Sequence, residues 1–208
     1  MRIKNLIDED LVNYSKPSMF IITPQCNFKC DKECGKPVCQ NSELAQAPII
    51  EIDDVELAQR FYENSITEAI TFGGLEPCDS FDEVWEFLRV IATLYMVSYD
   101  IQQAPDIIIY TGYYPSEIRS ELKVLTELFN SYIYNIIIKF GRFIPDRPHR
   151  TDPILGVELA SDNQFSVNLG EMRERGLDFE SYFAELTGKE IYYRNLVRDT
   201  TKVNKELT

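Results

Sequence analysis

Histidine is almost missing from this chain: one residue, His149, in 208. With it go histidine-rich metal motifs and any Ser–His–Asp arrangement, and no glycine-rich phosphate loop takes their place. Positive charge is also scarce. Lys and Arg number 21 against 34 Asp and Glu, a formal net charge of -13. An acidic surface of that size repels phosphate backbones, which excludes general binding to nucleic acid or to anionic membranes. No apolar run reaches the roughly 18 residues that a membrane span needs. The opening "MRIKNLIDED" lacks the continuous apolar stretch of a secretory leader. A cytoplasmic location is therefore expected, where thiols stay reduced and clustered cysteines ligate metals more often than they form disulfides. Internal repeats and low-complexity blocks are absent too.

What the chain does contain is 44% hydrophobic residues, enough for a sizeable core. "SMFIIT" (18–23), "EAITF" (68–72), "DIIIY" (106–110) and "YIYNIIIKF" (132–140) read as buried strands. Between them lie amphipathic stretches. Residues 53–64 predict a helix capped by Asp53 or Asp54, with Val55, Leu57, Ala58 and Phe61 near helical spacing. Ser80 to Glu83 has the form of a capping box, opening a helix that buries Val84, Phe87, Leu88, Ile91 and Leu94. "SEIRSELKVLTELFN" is helical again. Beyond Asp146 the pattern loosens to one strand near "NQFSVNL", a short helix near "FESYFAEL" and a frayed polar tail. Strand–helix units in series predict an α/β architecture with parallel strands, four or five in number, too few to close an eight-stranded barrel. A partial (β/α) barrel or a doubly wound sheet remains, and in both the ligands sit at the carboxyl ends of the strands. One domain over 1–208 is expected, with a core at about 18–168 and a C-terminal extension over 169–208.

Four of the five cysteines fall in "CNFKCDKECGKPVCQN", as Cys26, Cys30, Cys34 and Cys39. A closed zinc site would use all four, although its ligands usually come in two pairs separated by a longer spacer. An iron–sulfur cluster takes three or four thiolates from a compact loop. Three of them on a four-iron cluster leave one iron open for an exogenous ligand. Cys26 and Cys30 form the first pair, and either Cys34 or Cys39 completes the set.

The Cys-x3-Cys pair, a further cysteine and a strand ending in "FGGLEP" resemble the radical S-adenosylmethionine superfamily. More closely, "CQN", "FGGLEP", "YTGY", "IIIKFGRFI" and "ASDNQ" occur in the order seen in the activating enzymes of anaerobic ribonucleotide reductase, over roughly residues 18–168. The superfamily spacing would put the third cysteine at position 33, which is Glu33 here. The resemblance favours Cys39 over Cys34. Val38 supplies the apolar residue that precedes the third cysteine near the adenine, and "Cys39-Gln-Asn" matches the end of the loop. The implied fold is a partial (β/α) barrel with the iron–sulfur loop after its first core strand. The implied metal ligands are Cys26, Cys30 and Cys39 on a 4Fe-4S cluster.

By the same resemblance, Gly73 and Gly74 bring backbone close to S-adenosylmethionine, Glu76 pairs with its ammonium, and Thr111 reaches its ribose together with Tyr113. The implied activity is reductive cleavage of S-adenosylmethionine to a 5′-deoxyadenosyl radical that installs a glycyl radical on a partner anaerobic reductase. The electron would come from a reduced flavodoxin- or ferredoxin-type donor. Two other readings stay open: a radical enzyme acting on a peptide or small molecule, and a non-enzymatic cysteine-rich module held by zinc or a cluster. Cys78 reads as incidental. Lys139 to Arg150, with four cations against Asp146 alone, reads either as a solvated loop or as a patch for an anionic ligand or acidic partner segment. Asn163 and Gln164 supply further polar groups without an assigned role.

Overall fold

The computed structural model describes residues 1–97, 104–131 and 135–203. The chain opens with two short strands, β1 (Arg2–Ile3) and β2 (Asn5–Asp10), then enters β3 (Ser18–Ile22). A long loop follows, containing α1 (Lys29–Cys34), and leads to β4 (Ile50–Glu51) and α2 (Asp54–Glu63). Regular alternation then sets in: β5 (Ala69–Gly73), α3 (Phe81–Val97), β6 (Asp106–Tyr110), α4 (Arg119–Ser131) and β7 (Asn135–Phe140). The remainder holds β8 (Arg150–Thr151), β9 (Glu158–Leu159), β10 (Phe165–Asn168), α5 (Gly170–Glu174) and α6 (Phe179–Val203).

Six strands form one mixed sheet in the order β10-β7-β6-β5-β3-β2. The inner four are parallel, and the two outer strands run antiparallel to their neighbours. All residues of β3 and β5 are buried, as continuous apolar strands covered on both faces require. Alternation within β6 shows the two layers. Ile107 and Ile109 pack with helical residues such as Phe87, Leu88, Ile91, Leu122 and Leu125, whereas Ile108 faces Tyr14, Leu155 and Leu159 from loops and β9. Each such isoleucine contributes about 1.5–3 kcal/mol by leaving water. The register puts Ile22 beside Gly73 and Tyr110 beside Lys139, so the carboxyl ends of the parallel strands finish level with one another.

The expected strands and helices are present, with several differences. The sheet is mixed rather than wholly parallel. β2 was not anticipated, because "NLIDED" is largely charged and lies at a sheet edge with only one face packed. Asp53 is the N-cap of α2, accepting the amides of Val55 and Glu56, and this leaves Val55 at the helix start exposed rather than in the core. Leu94 is half-buried, beyond the fully buried stretch of α3. The capping box at Ser80 does not form. Pro77–Ser80 is a 3-10 turn running straight into α3, so the Ser80 hydroxyl is buried without a partner among the described residues. Glu83 instead accepts the Arg2 amide at 2.7 Å and its Nε at 3.0 Å.

The C-terminal segment is neither a short helix nor an appendage. α6 runs from Phe179 to Val203, taking in much of the polar tail, and Leu169, Met172, Tyr182 and Leu186 belong to the main core. Tyr132 to Tyr134 of the expected fourth strand, the end of the α3 prediction at 98–99 and the last five residues lie outside the described residues. No described helix is long and apolar enough to cross a membrane.

Candidate functional site

The loop after β3 is held in place residue by residue. Phe28 adopts φ +55, a left-handed conformation that costs a non-glycine residue energy and persists only where its surroundings enforce it. Two carboxylates hold the segments before and after it. Asp79, just after β5, accepts the Asn27 amide at 2.6 Å and the Tyr113 hydroxyl at 2.6 Å. Asp31, in α1, accepts the amides of Val38 and Cys39, both at 2.8 Å. Between them α1 ends at Gly35 with φ +65, which reverses the chain so that the segment bearing Cys39 returns toward the helix bearing Cys30.

The result is a cavity of about 410 Å³ at the carboxyl ends of the parallel strands. Cys26, Cys30 and Cys39 all line it, and so do Gly74, Glu76 and Thr111. Cys34 does not line it, nor does Val38, which is half-buried beside the returning segment. Gly73 stands at the end of β5 under the Phe20 ring, which would lie 3.1 Å from a Cβ placed there. Glu33 points toward Arg142 and pairs with its Nε at 3.1 Å. All five cysteines are free.

Cys26 accepts the Phe28 amide at 3.3 Å, and the backbone amides of Phe143 and Asn41 lie near Cys30 and Cys39. Burial is the largest influence on all three. It pushes Cys26 up to about 12 and raises Cys30 and Cys39, while the amides act in the opposite direction. A charge on Cys39 would further raise both other thiols, so the three sulfurs share one electrostatic environment. Thiols in this state become thiolates when a cation takes the proton's place. Among the described residues no three Cys, His, Asp or Glu side chains converge as ligands of a single metal ion would.

Glu76 is buried, and its carboxylate is well supplied with donors. Oε1 accepts from the Thr111 hydroxyl at 2.7 Å and the Cys78 amide at 3.1 Å, and Oε2 from the Gly112 amide at 2.8 Å. Burial nonetheless raises its pKa. Thr111 in turn accepts the Tyr113 amide at 3.0 Å. The Tyr113 ring turns to Asp79 and Lys29 rather than to the cavity.

Lys139, which belongs both to the expected strand over 132–140 and to the basic segment, lies in β7 and lines the cavity. Its ammonium is buried, donates to the Gly141 carbonyl at 3.2 Å, and is depressed to about 8 by burial against the opposing pull of Glu76 and Cys30. A lone charge inside "NIIIKF" was the signal available, because lysine is almost never fully buried without a reason. The rest of that segment is neither a solvated loop nor an open cationic patch. Arg142 is buried between Glu117 and Glu33, Arg147 is paired with Asp162, and Arg150 with Asp152. His149 is exposed beside Glu158. Of the "ASDNQ" pair, Gln164 lines the cavity and donates to the Gly141 carbonyl at 3.2 Å, whereas Asn163 is buried against Arg142 and Tyr114.

Asp31 and Asp79 were not anticipated. Each acts on backbone amides brought near by chain reversal or sheet pairing, and neither has a local sequence signature. Compared with known proteins, the chain matches no family model, no curated protein and no solved structure.

Proposed function

We propose that the chain is a radical S-adenosylmethionine enzyme of the glycyl-radical-activating type, its sheet serving as a partial (β/α) barrel. The observation that carries this reading is that Cys26, Cys30 and Cys39, and not Cys34, face one cavity at the carboxyl edge of the parallel strands together with Gly74 and Glu76. The donor set fits a 4Fe-4S cluster. It consists of three soft sulfurs on a compact loop, one of them holding a backbone amide of the kind that tunes cluster potentials, with no fourth protein ligand among the cavity cysteines. Three ligands leave one iron for S-adenosylmethionine.

Cys26, Cys30 and Cys39 would hold the cluster, which with S-adenosylmethionine would supply one-electron reductive cleavage of that cofactor and the abstraction of a hydrogen atom from a glycine Cα of the partner reductase. The electron would come from a reduced flavodoxin- or ferredoxin-type donor. The chain's own residues bind and orient. Gly74, with φ +74 and no side chain, lets backbone approach the ligand. Glu76 offers a buried carboxylate to the methionine ammonium, and its existing donors hold it in place. Lys139 offers a buried cation to an anionic group such as the methionine carboxylate. Arg142 positions α1: it links Glu33 on that helix to Glu117, which also holds Lys29.

The test is electron paramagnetic resonance of anaerobically reconstituted, dithionite-reduced protein with and without S-adenosylmethionine. A four-iron signal that changes on adding the cofactor supports the reading. A cluster signal indifferent to the cofactor points to an electron-transfer or structural cluster. Zinc with no iron signal leaves the non-enzymatic module.

A further inference from the structure

The loop that carries the cysteines bears positive charge on a chain that is otherwise acidic. Lys29, Lys32 and Lys36 all fall between Cys26 and Cys39, whereas the whole chain has a net charge of -13. The two carboxylates of the same stretch are both engaged. Asp31 accepts the amides of Val38 and Cys39, and Glu33 pairs with the buried Arg142 at 3.1 Å. Lys29 is paired with Glu117 at 3.1 Å. Lys32 and Lys36 are exposed, and the ammonium of neither has a partner among the described residues. The surface continues toward α6 in the same way. Glu33 and Arg194 line one cavity there. Glu190 is buried and accepts the Ser116 hydroxyl and Arg194 Nη1, both at 2.9 Å, while the Arg194 side chain keeps half of its area in solvent.

Helix geometry relates these lysines to the cysteine cavity. A helix turns about 100° per residue, so Lys32, two positions after Cys30 in α1, lies on the opposite face. Cys30 lines the cavity and Lys32 meets solvent. A helix with its side chains is about 10–12 Å across, and that distance separates a partner seated on Lys32 from the Cys30 sulfur. Exposed lysines elsewhere have a different setting. Lys123 lies four residues before Glu127, and Lys189 four after Glu185, spacings at which opposite charges meet on a helix face.

We propose that the outer face of the cysteine loop, centred on Lys32 and Lys36, is where an acidic electron-donor protein docks. The inference rests on the cluster reading, because a redox centre at Cys26, Cys30 and Cys39 is what gives a donor a reason to seat there. The donor is oxidised by one electron and the cluster is reduced by one. An acidic partner is repelled by most of this chain's surface, including Glu51, Asp53, Asp54, Asp82, Glu83 and Glu86 around the starts of α2 and α3. Repulsion there and attraction at one loop orient the encounter. At physiological ionic strength the screening length is about 8 Å, so long-range repulsion is damped while contacts at the loop persist. A basic donor would meet the opposite landscape, drawn to the acidic faces and turned away from the loop.

The probe is a flavodoxin of net negative charge. Zero-length carbodiimide cross-linking of the reconstituted chain to oxidised flavodoxin, read by mass spectrometry, should join Lys32 or Lys36 to a flavodoxin carboxylate. Anaerobic stopped-flow then follows cluster reduction by reduced flavodoxin and, separately, by photoreduced deazariboflavin, which is small and uncharged. Lys32→Glu combined with Lys36→Glu should slow the flavodoxin reaction about tenfold or more at low salt and leave the deazariboflavin reaction unchanged. The gap should close near 1 M salt, where the screening length is about 3 Å. Lys123→Glu combined with Lys189→Glu makes the same change in net charge elsewhere and should slow the flavodoxin reaction far less. Equal slowing by the two double variants overturns the docking site, and so does a loop variant reduced as fast as wild type or cross-linking confined to other lysines. If the loop variant loses both reactions, Lys32→Gln with Lys36→Gln decides: slowing of the flavodoxin reaction alone supports the site, and no slowing overturns it. A wild-type chain that holds no reducible cluster overturns the functional reading instead, and the cross-links then still report whether this loop is the contact.

Discussion

Asp31 and Cys39 are eight residues apart, and the Asp31 carboxylate accepts the Cys39 amide at 2.8 Å. Because the same oxygen also takes the Val38 amide, this one side chain decides where the third cavity cysteine stands. Removing it by Asp31→Ala frees two amides, each worth about 1.5–3 kcal/mol to a charged acceptor when shielded from water. In the cluster reading, iron retained against a chelator should fall about tenfold or more. Asp31→Asn, which keeps an oxygen at that position, should recover most of it. Iron content measured after reconstitution should also vanish in Cys26→Ser, Cys30→Ser and Cys39→Ser and persist in Cys34→Ser. Loss in Cys34→Ser with retention in Cys39→Ser would reverse the assignment.

The helix carrying Cys30 is also pinned electrostatically. Burial alone would raise the Glu117 carboxyl, but the Arg142 guanidinium, the Tyr114 amide and Lys29 outweigh it and hold the group at about 2. A folded-state pKa below the ordinary carboxylate value means stability present at neutral pH and lost as pH falls from about 4.5 toward about 2. The full shift corresponds to about 3 kcal/mol, and screening at a side chain a quarter exposed reduces this to about 1–2 kcal/mol. Urea denaturation should show wild type ahead of Glu117→Gln by that margin at pH 7, with the gap mostly closed at pH 2. A gap independent of pH would mean that the carboxylate's charge does not matter.

Two glycines with similar backbone angles should respond differently to alanine. Gly35 has φ +65 and open space around a Cβ, so Gly35→Ala should cost only the left-handed strain, about 1–2 kcal/mol. Gly74 has φ +74, and a Cβ there would lie 2.7 Å from the Ile22 side chain. Strain and overpacking together put Gly74→Ala at about 3 kcal/mol or more. Equal melting temperatures for the two variants would show that β3 yields easily at Ile22.

These contrasts also show what the sequence could and could not convey. "DIIIY" and "NIIIKF" declare buried parallel strands because hydrophobic continuity needs no knowledge of neighbours. β2 carries no comparable signal, since an edge strand with one packed face tolerates "NLIDED". The cysteine spacing left Cys34 and Cys39 both open. What separates them in space is the turn at Gly35 and the grip of Asp31, a contact made only after the chain reverses. The arginines after Lys139 read either as a solvated loop or as a cationic patch because the carboxylates that pair Arg142 and Arg147, namely Glu117, Glu33 and Asp162, are distant in sequence, Asp152 beside Arg150 being the local exception. Pairing across the fold hides charge from any local reading.

Lys139 is the exception among those cations, and it brings stability and function into conflict. Burial depresses its ammonium from the ordinary lysine value to about 8. A cation lowered in the fold binds its proton more weakly than in the unfolded chain, so stability rises with pH between about 8 and about 10.5. Lys139→Met, similar in volume and without charge, should therefore be more stable than wild type at pH 7, by about 1–3 kcal/mol, with the advantage shrinking across that window. If the lysine is kept for an anionic ligand, the same substitution should weaken S-adenosylmethionine binding about tenfold, as expected for loss of a buried charge-assisted bond. Calorimetric titration of the reconstituted protein alongside urea melts at pH 7 and pH 10 measures both. Greater stability with unchanged affinity would remove Lys139 from the binding site. Lower stability at pH 7 would mean that the carbonyls of Gly141 and Thr111 compensate the buried charge more fully than its depressed pKa implies.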